Sequence, residues 1–469
     1  MTDAVSIPAW LLVLIAALAV WALYEHVLAP ALRVILAHPA NRVIDELGER
    51  LRIGIRPFQR TQRQALIHSL LADHRVQAAA EQFAKDKGLS LSAALRSVER
   101  YAREIVPAFN AYLYFRIGYW IGRGIARSLY RVRIGYLDSA GLAKIESDAA
   151  VVFVMNHRSN MDYVLAAYLA ADQTALSYAV GEWARVWPLS ALIRAMGAYF
   201  VRRNSKDELY RRVLERYIAM ATEAGVPQAV FPEGGLTRDG RMREPRLGVI
   251  DYMMRGFRIE GAHDLVFVPL GINYDRVLED RSLLRSLDPE APRVGRAKSV
   301  WNALAFAARN ARLMLKSEWH RFGYACVNFG SPLSMRAYCR ERGLDFQRLS
   351  GEERKREIAA LGARLMETVG RIVPVVPVPL IATVFVANPE KPLSALELKA
   401  GVGRLLERLE RAGARVYVPR RDFDYAINVG LRMLLMRHLV AEGDGLFTAR
   451  GGELPVLRYY ANSIAHLLE

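Results

Sequence analysis

The sequence predicts an α/β fold in which helices cover both faces of a central sheet. Short apolar runs typical of buried strands occupy residues 151–155, 229–231 and 265–272. Amphipathic stretches typical of helices lie between and beside them, at residues 163–172, 209–225 and 249–257. Alternation of strands and helices over residues 141–330 is typical of α/β layers, whose functional sites gather where strands end.

Composition limits the class of partner. The 469 residues contain 65 Lys and Arg against 48 Asp and Glu, which leaves a net charge of +17. Such an excess favours anionic partners, such as lipid headgroups, phosphorylated substrates or acidic carrier proteins. The basic residues are spread through apolar, periodic sequence without a recognised nucleic-acid-reading motif, so we expect no nucleic-acid partner. The two cysteines, Cys326 and Cys339, are too few for a disulfide framework or a multi-thiolate metal site.

The N-terminal segment predicts a membrane anchor over residues 1–30. Residues 5–24 carry no charge and would span about 30 Å as a helix, the thickness of one hydrocarbon core. Four arginines follow between residues 33 and 52, and the positive-inside rule then places the main body on the cytoplasmic side. A buried core helix or a re-entrant segment is the alternative.

Residues 107–133 predict a second contact with the membrane. Six aromatic residues between Phe109 and Trp120 are interleaved with, and followed by, arginines, a pattern typical of a helix lying on anionic lipid. The alternative is an amphipathic helix packed on the rest of the protein. Residues 40–104 predict helices with polar faces, and no candidate catalytic or binding residue stands out in them.

The strand at residues 151–155 delivers a candidate acid–base pair. His157 and Asp162 follow it at a spacing that a loop entering a helix can close. An imidazole held in one tautomer by a carboxylate can take a proton from a hydroxyl nucleophile. His68 and Asp73 have the same spacing within a Leu-rich helical stretch, and we interpret that second pair as structural.

Three further blocks follow the pair in order along the chain. They are GAYFVRR at 197–203, FPEGGLTRDGR at 231–241 and VFVPLGINYD at 266–275. Guanidinium groups beside a Gly-rich turn suit bidentate binding of phosphate. The candidate binding residues in these blocks are Arg202, Arg203, Glu233, Gly234, Arg238, Arg241 and Pro269.

Taken together, His157…Asp162 and the three blocks resemble the four motifs of the glycerolipid acyltransferases. The resemblance is closest to the membrane-bound bacterial glycerol-3-phosphate acyltransferases and the related dihydroxyacetone-phosphate acyltransferases. The later VNFGSPL and RYYANSIAHLL segments, at 327–333 and 458–468, are also similar to that branch. Leu236 and Thr237 stand where the family usually has Arg and Ser.

The resemblance implies an acyltransferase layer fold and a transfer reaction. An acyl-CoA or acyl-carrier-protein thioester would acylate the sn-1 hydroxyl of glycerol-3-phosphate to give lysophosphatidic acid, the first step of phospholipid biosynthesis. His157 would be the general base and Asp162 would orient it. Arg202 and Arg238 would hold the phosphate, and Glu233 and Gly234 would shape the acceptor pocket. The resemblance implies no metal or other cofactor, and a location at the inner membrane with the catalytic domain on its cytoplasmic side.

Two alternatives stay open. An enzyme that acylates lysophosphatidate or dihydroxyacetone phosphate would share His157 and Asp162. A non-enzymatic membrane protein that binds lipid would account for the anchor and the charge, although it gives no reason for the His–Asp pair. An acceptor assay separates the first alternative, and any thioester-dependent turnover eliminates the second.

The predicted organisation has four parts. The anchor at 1–30 precedes a helical region at 31–134, a catalytic domain at 135–335 and a helical or mixed C-terminal domain at 336–469. Within the last part, residues 372–386 form an apolar, Pro-punctuated segment that predicts strands, or an edge strand, because Pro is confined to sheet edges. We expect this part of the chain to pack on the catalytic domain, and the alternative is that it shapes an acyl tunnel.

Overall fold

The computed structural model describes residues 56–170, 174–181, 189–202, 205–288, 290 and 321–469. The predicted membrane anchor at 1–30 lies outside these residues, as does Arg203. Within the described part of the chain, no helix combines the length and the apolar character needed to cross a membrane.

A mixed eight-stranded sheet forms the centre of the described structure. Its strands are β1 Arg131–Leu137, β2 Ala150–Met155, β3 Ser177–Val180, β4 Ala198–Phe200, β5 Gln228–Val230, β6 Leu265–Tyr274, β7 Tyr324–Phe329 and β8 Leu333–Ser334. The order is β1-β7-β6-β2-β5-β3-β4, with β8 also beside β6. Only β6 pairs antiparallel, with β7 and β8, among these described strands. The predicted strands at 151–155, 229–231 and 265–272 are confirmed as β2, β5 and β6.

Helices cover both faces of this sheet, as predicted. Before β1 they are α1 Pro57–Arg60, α2 Arg63–Ala72, α3 His74–Lys87, α4 Leu91–Ile105 and α5 Tyr119–Leu129. Between β1 and β7 they are α6 Ser139–Ala143, α7 Met161–Ala170, α8 Leu189–Ala195, α9 Glu208–Glu223, α10 Gly248–Arg255 and α11 Asp280–Arg285. After β8 they are α12 Met335–Arg342, α13 Gly351–Arg371, α14 Pro377–Ala387, α15 Ala395–Arg411, α16 Phe423–Met436 and α17 Leu454–Ala465. A small sheet of β9 Leu393–Ser394, β10 Val440–Gly443 and β11 Leu446–Ala449 lies among the last four helices.

Strand β2 divides the core into two layers. Its side chains alternate, so that Val151, Phe153 and Met155 join one buried cluster, and Ala150, Val152 and Val154 join the other. The first cluster contains α7 with the C-terminal helices α14–α17, and the second contains α2–α4, α9, α10, α12 and α13. Both terminal regions therefore complete the core of the sheet.

The prediction of strands at 372–386 is wrong. Residues 377–387 form α14, a helix whose apolar side chains are almost all buried. Pro377 and Pro379 lie in its first turn, where backbone N–H groups have no intrahelical partner, so proline is tolerated there. Only Val375 forms a bridge, to Val416, within the described residues of this segment.

The aromatic segment at 107–133 is helical from residue 111 to Leu129. A π-helical turn, Leu113–Gly118, runs into α5, and β1 starts at Arg131. One side of α5 packs on α7. Its other side leaves Trp120, Ile121 and Ile125 exposed by 59%, 49% and 41%. The helix therefore packs on the rest of the protein, as the alternative held, and also leaves an apolar surface exposed.

Candidate active site

The candidate active site lies at the carboxyl ends of neighbouring parallel strands. Strands β2, β5, β3 and β4 lie side by side in parallel, so their carboxyl ends share one edge of the sheet. His157 follows β2, Glu233 follows β5 and Arg202 follows β4. Three of the four sequence motifs are therefore brought to the same edge.

His157 and Asp162 form a buried pair, as the sequence predicted. The Nδ1 atom of His157 lies 2.9 Å from Oδ2 of Asp162, and both side chains are almost fully excluded from solvent. The turn between them is short because Asp162 lies in the first turn of α7, and its N–H donates to the Ser159 carbonyl at 3.0 Å. A loop that enters a helix thus closes the five-residue spacing.

Asp162 accepts four hydrogen bonds, including the one from His157. Its Oδ2 also accepts from the backbone N–H groups of Arg158 and Ser159, at 2.7 and 3.0 Å. Its Oδ1 accepts from the hydroxyl of Tyr274 at 2.5 Å. An ionised carboxylate is an acceptor only, so the His157 proton belongs on Nδ1 and Nε2 keeps the lone pair that a general base needs.

Tyr274 was missed at the level of sequence. Burial, and next the charge of Asp162, raise the pKa of its hydroxyl well above the usual value, so it remains a donor. The residue stands in the block that carries Pro269, yet 112 positions separate it from Asp162. No local spacing signals such a contact, because the pairing of β6 with β2 creates it.

Glu233 joins two of the motifs through backbone contacts. Its Oε1 accepts from the N–H of His157 at 2.9 Å, and its Oε2 accepts from the N–H of Arg243 at 3.1 Å. Burial raises the pKa of this carboxyl to about 7, although both N–H donors and the nearby Arg158 charge act to lower it. Glu233 therefore fixes the backbone under His157 and does not line the cavity in front of it.

The imidazole borders a cavity of about 280 Å³. Its ring stacks on Phe231, with centroids 4.2 Å apart, and meets the edge of Tyr163 at 5.3 Å. Gly234 and Gly235 form part of the opposite wall. Gly234 adopts a φ of +67°, which side chains rarely adopt, and a Cβ there would lie 2.4 Å from Cδ of Arg246, so a larger residue would strain the backbone and displace the Arg246 side chain.

Three arginines line this cavity among the described residues: Arg202, Arg246 and Arg211, the last of which is exposed on α9. Arg202, predicted from its motif, forms a bidentate pair with Glu104 at 2.8 and 2.6 Å, and that pairing raises the pKa of the guanidinium. Arg246, which the sequence analysis missed, is exposed at the cavity wall. Arg246 lies outside the four motifs, so its place at the cavity wall becomes apparent only in the folded structure.

The remaining predicted binding residues lie elsewhere. Among the described residues, Arg238 and Arg241 are exposed and absent from the cavity wall, because their turn packs toward α17. Arg241 lies 3.4 Å from Glu469. Pro269 is buried within β6, where the antiparallel partner changes from β8 to β7. On the other side it lies opposite Val154 of β2, and its carbonyl accepts from the N–H of Gly330 at 2.9 Å.

The control pair from the sequence has ordinary roles. His68 faces solvent and lies 3.1 Å from the Gln64 side chain. Asp73 instead caps α3 and pairs with Arg216 at 2.6 Å. In the described parts of the chain, no group of three or more His, Cys, Asp or Glu side chains is placed to hold a metal ion.

Comparison with known families agrees with this geometry. Residues 137–273 match the acyltransferase family, and residues 310–468 match the C-terminal region of glycerol-3-phosphate acyltransferases. The glycerol-3-phosphate acyltransferase of Xylella fastidiosa strain M23 is 26% identical over 451 residues, which are 92% of this chain and 50% of the relative. That of Aeromonas hydrophila is 27% identical over 450 residues, with shares of 92% and 53%.

The chain spans about half the length of the curated relatives it matches. Among solved structures, a 1-acyl-sn-glycerophosphate acyltransferase from Thermotoga maritima covers 54% of this chain and 78% of its own, at 16% identity and a TM-score of 0.31. The family resemblance of the motifs is confirmed. Residues 137–273 are thus similar to an acyltransferase domain, and residues 310–468 to the C-terminal region of glycerol-3-phosphate acyltransferases.

Proposed function

We propose that this chain transfers a fatty acyl group from acyl-CoA or acyl carrier protein to the sn-1 hydroxyl of glycerol-3-phosphate, giving lysophosphatidic acid. The observation that carries the proposal is the buried His157–Asp162 pair at the wall of a cavity that arginines also line. The relatives named as glycerol-3-phosphate acyltransferases, and the match to their C-terminal region, favour this acceptor.

The chemistry uses one proton and one acyl group. Nε2 of His157 removes the proton of the acceptor hydroxyl as its oxygen attacks the thioester carbonyl carbon. The tetrahedral intermediate collapses, the C–S bond breaks, and the thiolate leaves and takes up the proton from His157. Asp162 stabilises the imidazolium that forms between these steps. The reaction so written needs no metal and no cofactor beyond the thioester co-substrate.

The acceptor phosphate is proposed to lie between Arg202 and Arg246. The pair with Glu104 uses two of the five guanidinium N–H groups of Arg202, which leaves others for a ligand. Arg246 borders Gly234, two residues before Leu236, where related enzymes usually carry Arg. We infer that Arg246 supplies the guanidinium that Leu236 does not.

A second cavity supports an apolar donor. It has a volume of about 230 Å³ between α5, α7 and α8, and nearly all of its wall is apolar. Tyr163 and Val180 border both this cavity and the one that contains His157. An acyl chain held here would bring its thioester to the imidazole.

Filling the apolar cavity should select against long donors. Ala167 lies in its wall, and Ala167→Phe would occupy space used by the distal methylenes. Each methylene that loses burial costs about 0.8 kcal/mol, so two or three of them reduce kcat/KM for a palmitoyl donor by roughly ten- to fifty-fold. A butyryl donor provides the internal control and should change by less than about threefold. If kcat/KM fell equally for both donors, the acyl chain would have to bind outside this cavity.

The proposed activity is tested by crossing donors with acceptors. Acyl-CoA and acyl carrier protein would each be assayed with glycerol-3-phosphate, dihydroxyacetone phosphate and lysophosphatidate. We expect turnover that depends on the thioester and is fastest with glycerol-3-phosphate. Preference for another acceptor would correct the substrate, and lack of turnover with every pair would favour a non-enzymatic lipid-binding role.

We further propose that the protein works at the inner membrane, on its cytoplasmic side, with α5 against anionic lipid. Trp120 is largely exposed, and the Arg123 guanidinium lies 5.1 Å from its ring. An aromatic ring paired with a cation suits the interface between headgroups and acyl chains. The apolar cavity opens beside the same helix, since Ile121 and Ile125 border it.

Membrane binding through α5 can be measured apart from the N-terminal anchor. In a chain that lacks residues 1–28, we expect Trp120→Ala with Arg123→Gln to weaken binding to anionic vesicles by roughly 10²- to 10³-fold. The Trp side chain contributes about 1.5–3 kcal/mol on burial, and a basic residue near an anionic surface about 1 kcal/mol. Leu396→Ala is the matched control, because Leu396 is 77% exposed on the distant α15. Sedimentation with vesicles gives the readout, and equal effects would contradict this surface.

A further inference from the structure

We propose that helix α17 is a positioning element of the active site, and that its adjacent Tyr459 and Tyr460 hold the loop that carries His157. The inference rests on the proposed function for its kinetic consequence. The structural contacts that carry it stand independently of the substrate. Both tyrosines are fully buried, and they approach the loop from two sides.

Tyr459 holds the first side through Arg158, the residue after His157. The Arg158 side chain is only 3% exposed, and its guanidinium lies 5.1 Å from the Tyr459 ring centroid. Its Nη1 donates to the Gly240 carbonyl, whereas Nε and Nη2 have no hydrogen-bond partner among the described residues. A buried cation with so few hydrogen bonds depends on the aromatic ring for its position.

The turn at Gly240 is fitted to the same helix. Gly240 has a φ of +91°, and a Cβ there would lie 1.9 Å from the Tyr459 carbonyl oxygen. The Asn462 side-chain amide donates to the Asp239 carbonyl at 2.9 Å. This turn belongs to the motif that begins at Phe231, so α17 contacts the loops of two motifs together.

Tyr460 holds the second side through a hydrogen-bond chain. Its hydroxyl donates to Asp280 at 2.6 Å and accepts from Arg437 at 2.9 Å and from the N–H of Val277 at 3.0 Å. Asp280 also pairs with Arg437 at 2.5 Å, in surroundings almost closed to solvent. Tyr460 therefore fixes the backbone turn that follows β6.

Glu279, next to Asp280, passes this restraint to the catalytic loop. It accepts from the Ser159 hydroxyl at 2.8 Å and from the backbone and side-chain nitrogens of Asn160 at 3.2 and 3.0 Å. Arg158 and Ser159 in turn donate their N–H groups to Asp162. A displacement of either residue would move the carboxylate relative to His157, and a misplacement of about 1 Å can cost about 10²-fold in rate.

Two variants and one matched control test this role in the full chain. Tyr460→Phe removes the hydroxyl that joins Asp280, Arg437 and Val277. Arg158→Lys keeps the charge but loses the planar group that lies over Tyr459. Tyr338→Phe is the control, because Tyr338 is equally buried, accepts from Arg342 at 3.1 Å and lies in the other core cluster.

Two measurements separate positioning from general stability. We expect both variants to lower kcat by about ten- to a hundred-fold, with KM for each substrate within about twofold, whereas Tyr338→Phe leaves kcat nearly unchanged. Hydrogen exchange of the backbone at residues 157–162 should become at least about tenfold faster in both variants, and stay unchanged in the control. Uniformly faster exchange across the whole chain would indicate a purely structural role and overturn the proposal.

The exchange measurement needs no substrate, so it also separates the two proposals. Faster exchange at 157–162 without any acyl transfer by the unmodified protein would keep the positioning role and refute the proposed function. If the unmodified protein transfers acyl groups but Tyr460→Phe and Arg158→Lys leave both the exchange rates and kcat unchanged, the proposed function stands and the positioning role is refuted. If Tyr460→Phe fails to fold, Arg158→Lys decides, because it leaves the Tyr460 network intact.

Discussion

Replacement of His157 by alanine is expected to reduce acyl transfer by about 10³-fold or more. The imidazole borders the cavity proposed for the acceptor, and a positioned proton transfer contributes about 10²–10⁴-fold in rate. Without the base, the hydroxyl must attack the thioester while still protonated. The measurement is thioester-dependent turnover with glycerol-3-phosphate, at saturating concentrations of both substrates.

Asp162→Asn should cause a loss of similar order while the protein stays folded. An amide cannot accept from His157, Arg158, Ser159 and Tyr274 together, because one end of it donates. The imidazole then loses the charged partner that fixes its tautomer. Circular dichroism should report unchanged secondary structure.

His68→Ala is the matched control for both variants. His68 has the same sequence spacing to an aspartate, but it is exposed and its aspartate pairs with Arg216. We expect wild-type turnover within about twofold. Comparable losses at His68 and His157 would contradict the assignment of the base, since they would report on stability and not on chemistry.

The pairing of His157 with Asp162 could be predicted from the sequence because its determinants are local. A run of buried apolar residues specifies β2, and the next few residues close the loop onto α7. The partners that complete the pair are not local. Tyr274 and Glu279 reach the loop only because β6 lies beside β2, a pairing that no short pattern encodes.

The same distinction explains why the strand prediction at 372–386 is wrong and why Arg238 lies outside the cavity wall. Prolines in the segment at 372–386 suggested an edge strand, whereas their places in the first turn of α14 depend on where that helix begins. Arg238 stands beside the Gly-rich turn in sequence, yet the turn packs its Gly240 against α17 and leaves Arg238 in solvent. Proximity along the chain was therefore a poor guide to proximity in the cavity.

Arg246 offers the sharpest test of the acceptor site. If its guanidinium binds the phosphate, Arg246→Lys should raise KM for glycerol-3-phosphate by roughly ten- to a hundred-fold, because an ammonium cannot form two parallel hydrogen bonds with a phosphate. Loss of one charge-assisted hydrogen bond costs about 1.5–3 kcal/mol, which corresponds to that range. KM for the thioester should stay nearly constant, since the apolar cavity that we assign to the acyl chain lies on the other side of Tyr163.

Arg238→Lys is the matched control, because it makes the same exchange at an arginine outside the cavity wall. We expect acceptor kinetics within about twofold of the unmodified protein for this variant. A large effect at Arg238 with none at Arg246 would return the phosphate to the position that the motif suggested, and would require the turn at 236–241 to rearrange around the bound acceptor. Leu236→Arg then separates the remaining cases: with Arg246 unmodified it should change the acceptor KM little, whereas in the Arg246→Lys background it should restore part of the lost affinity, because a guanidinium two residues from Gly234 would again border the phosphate.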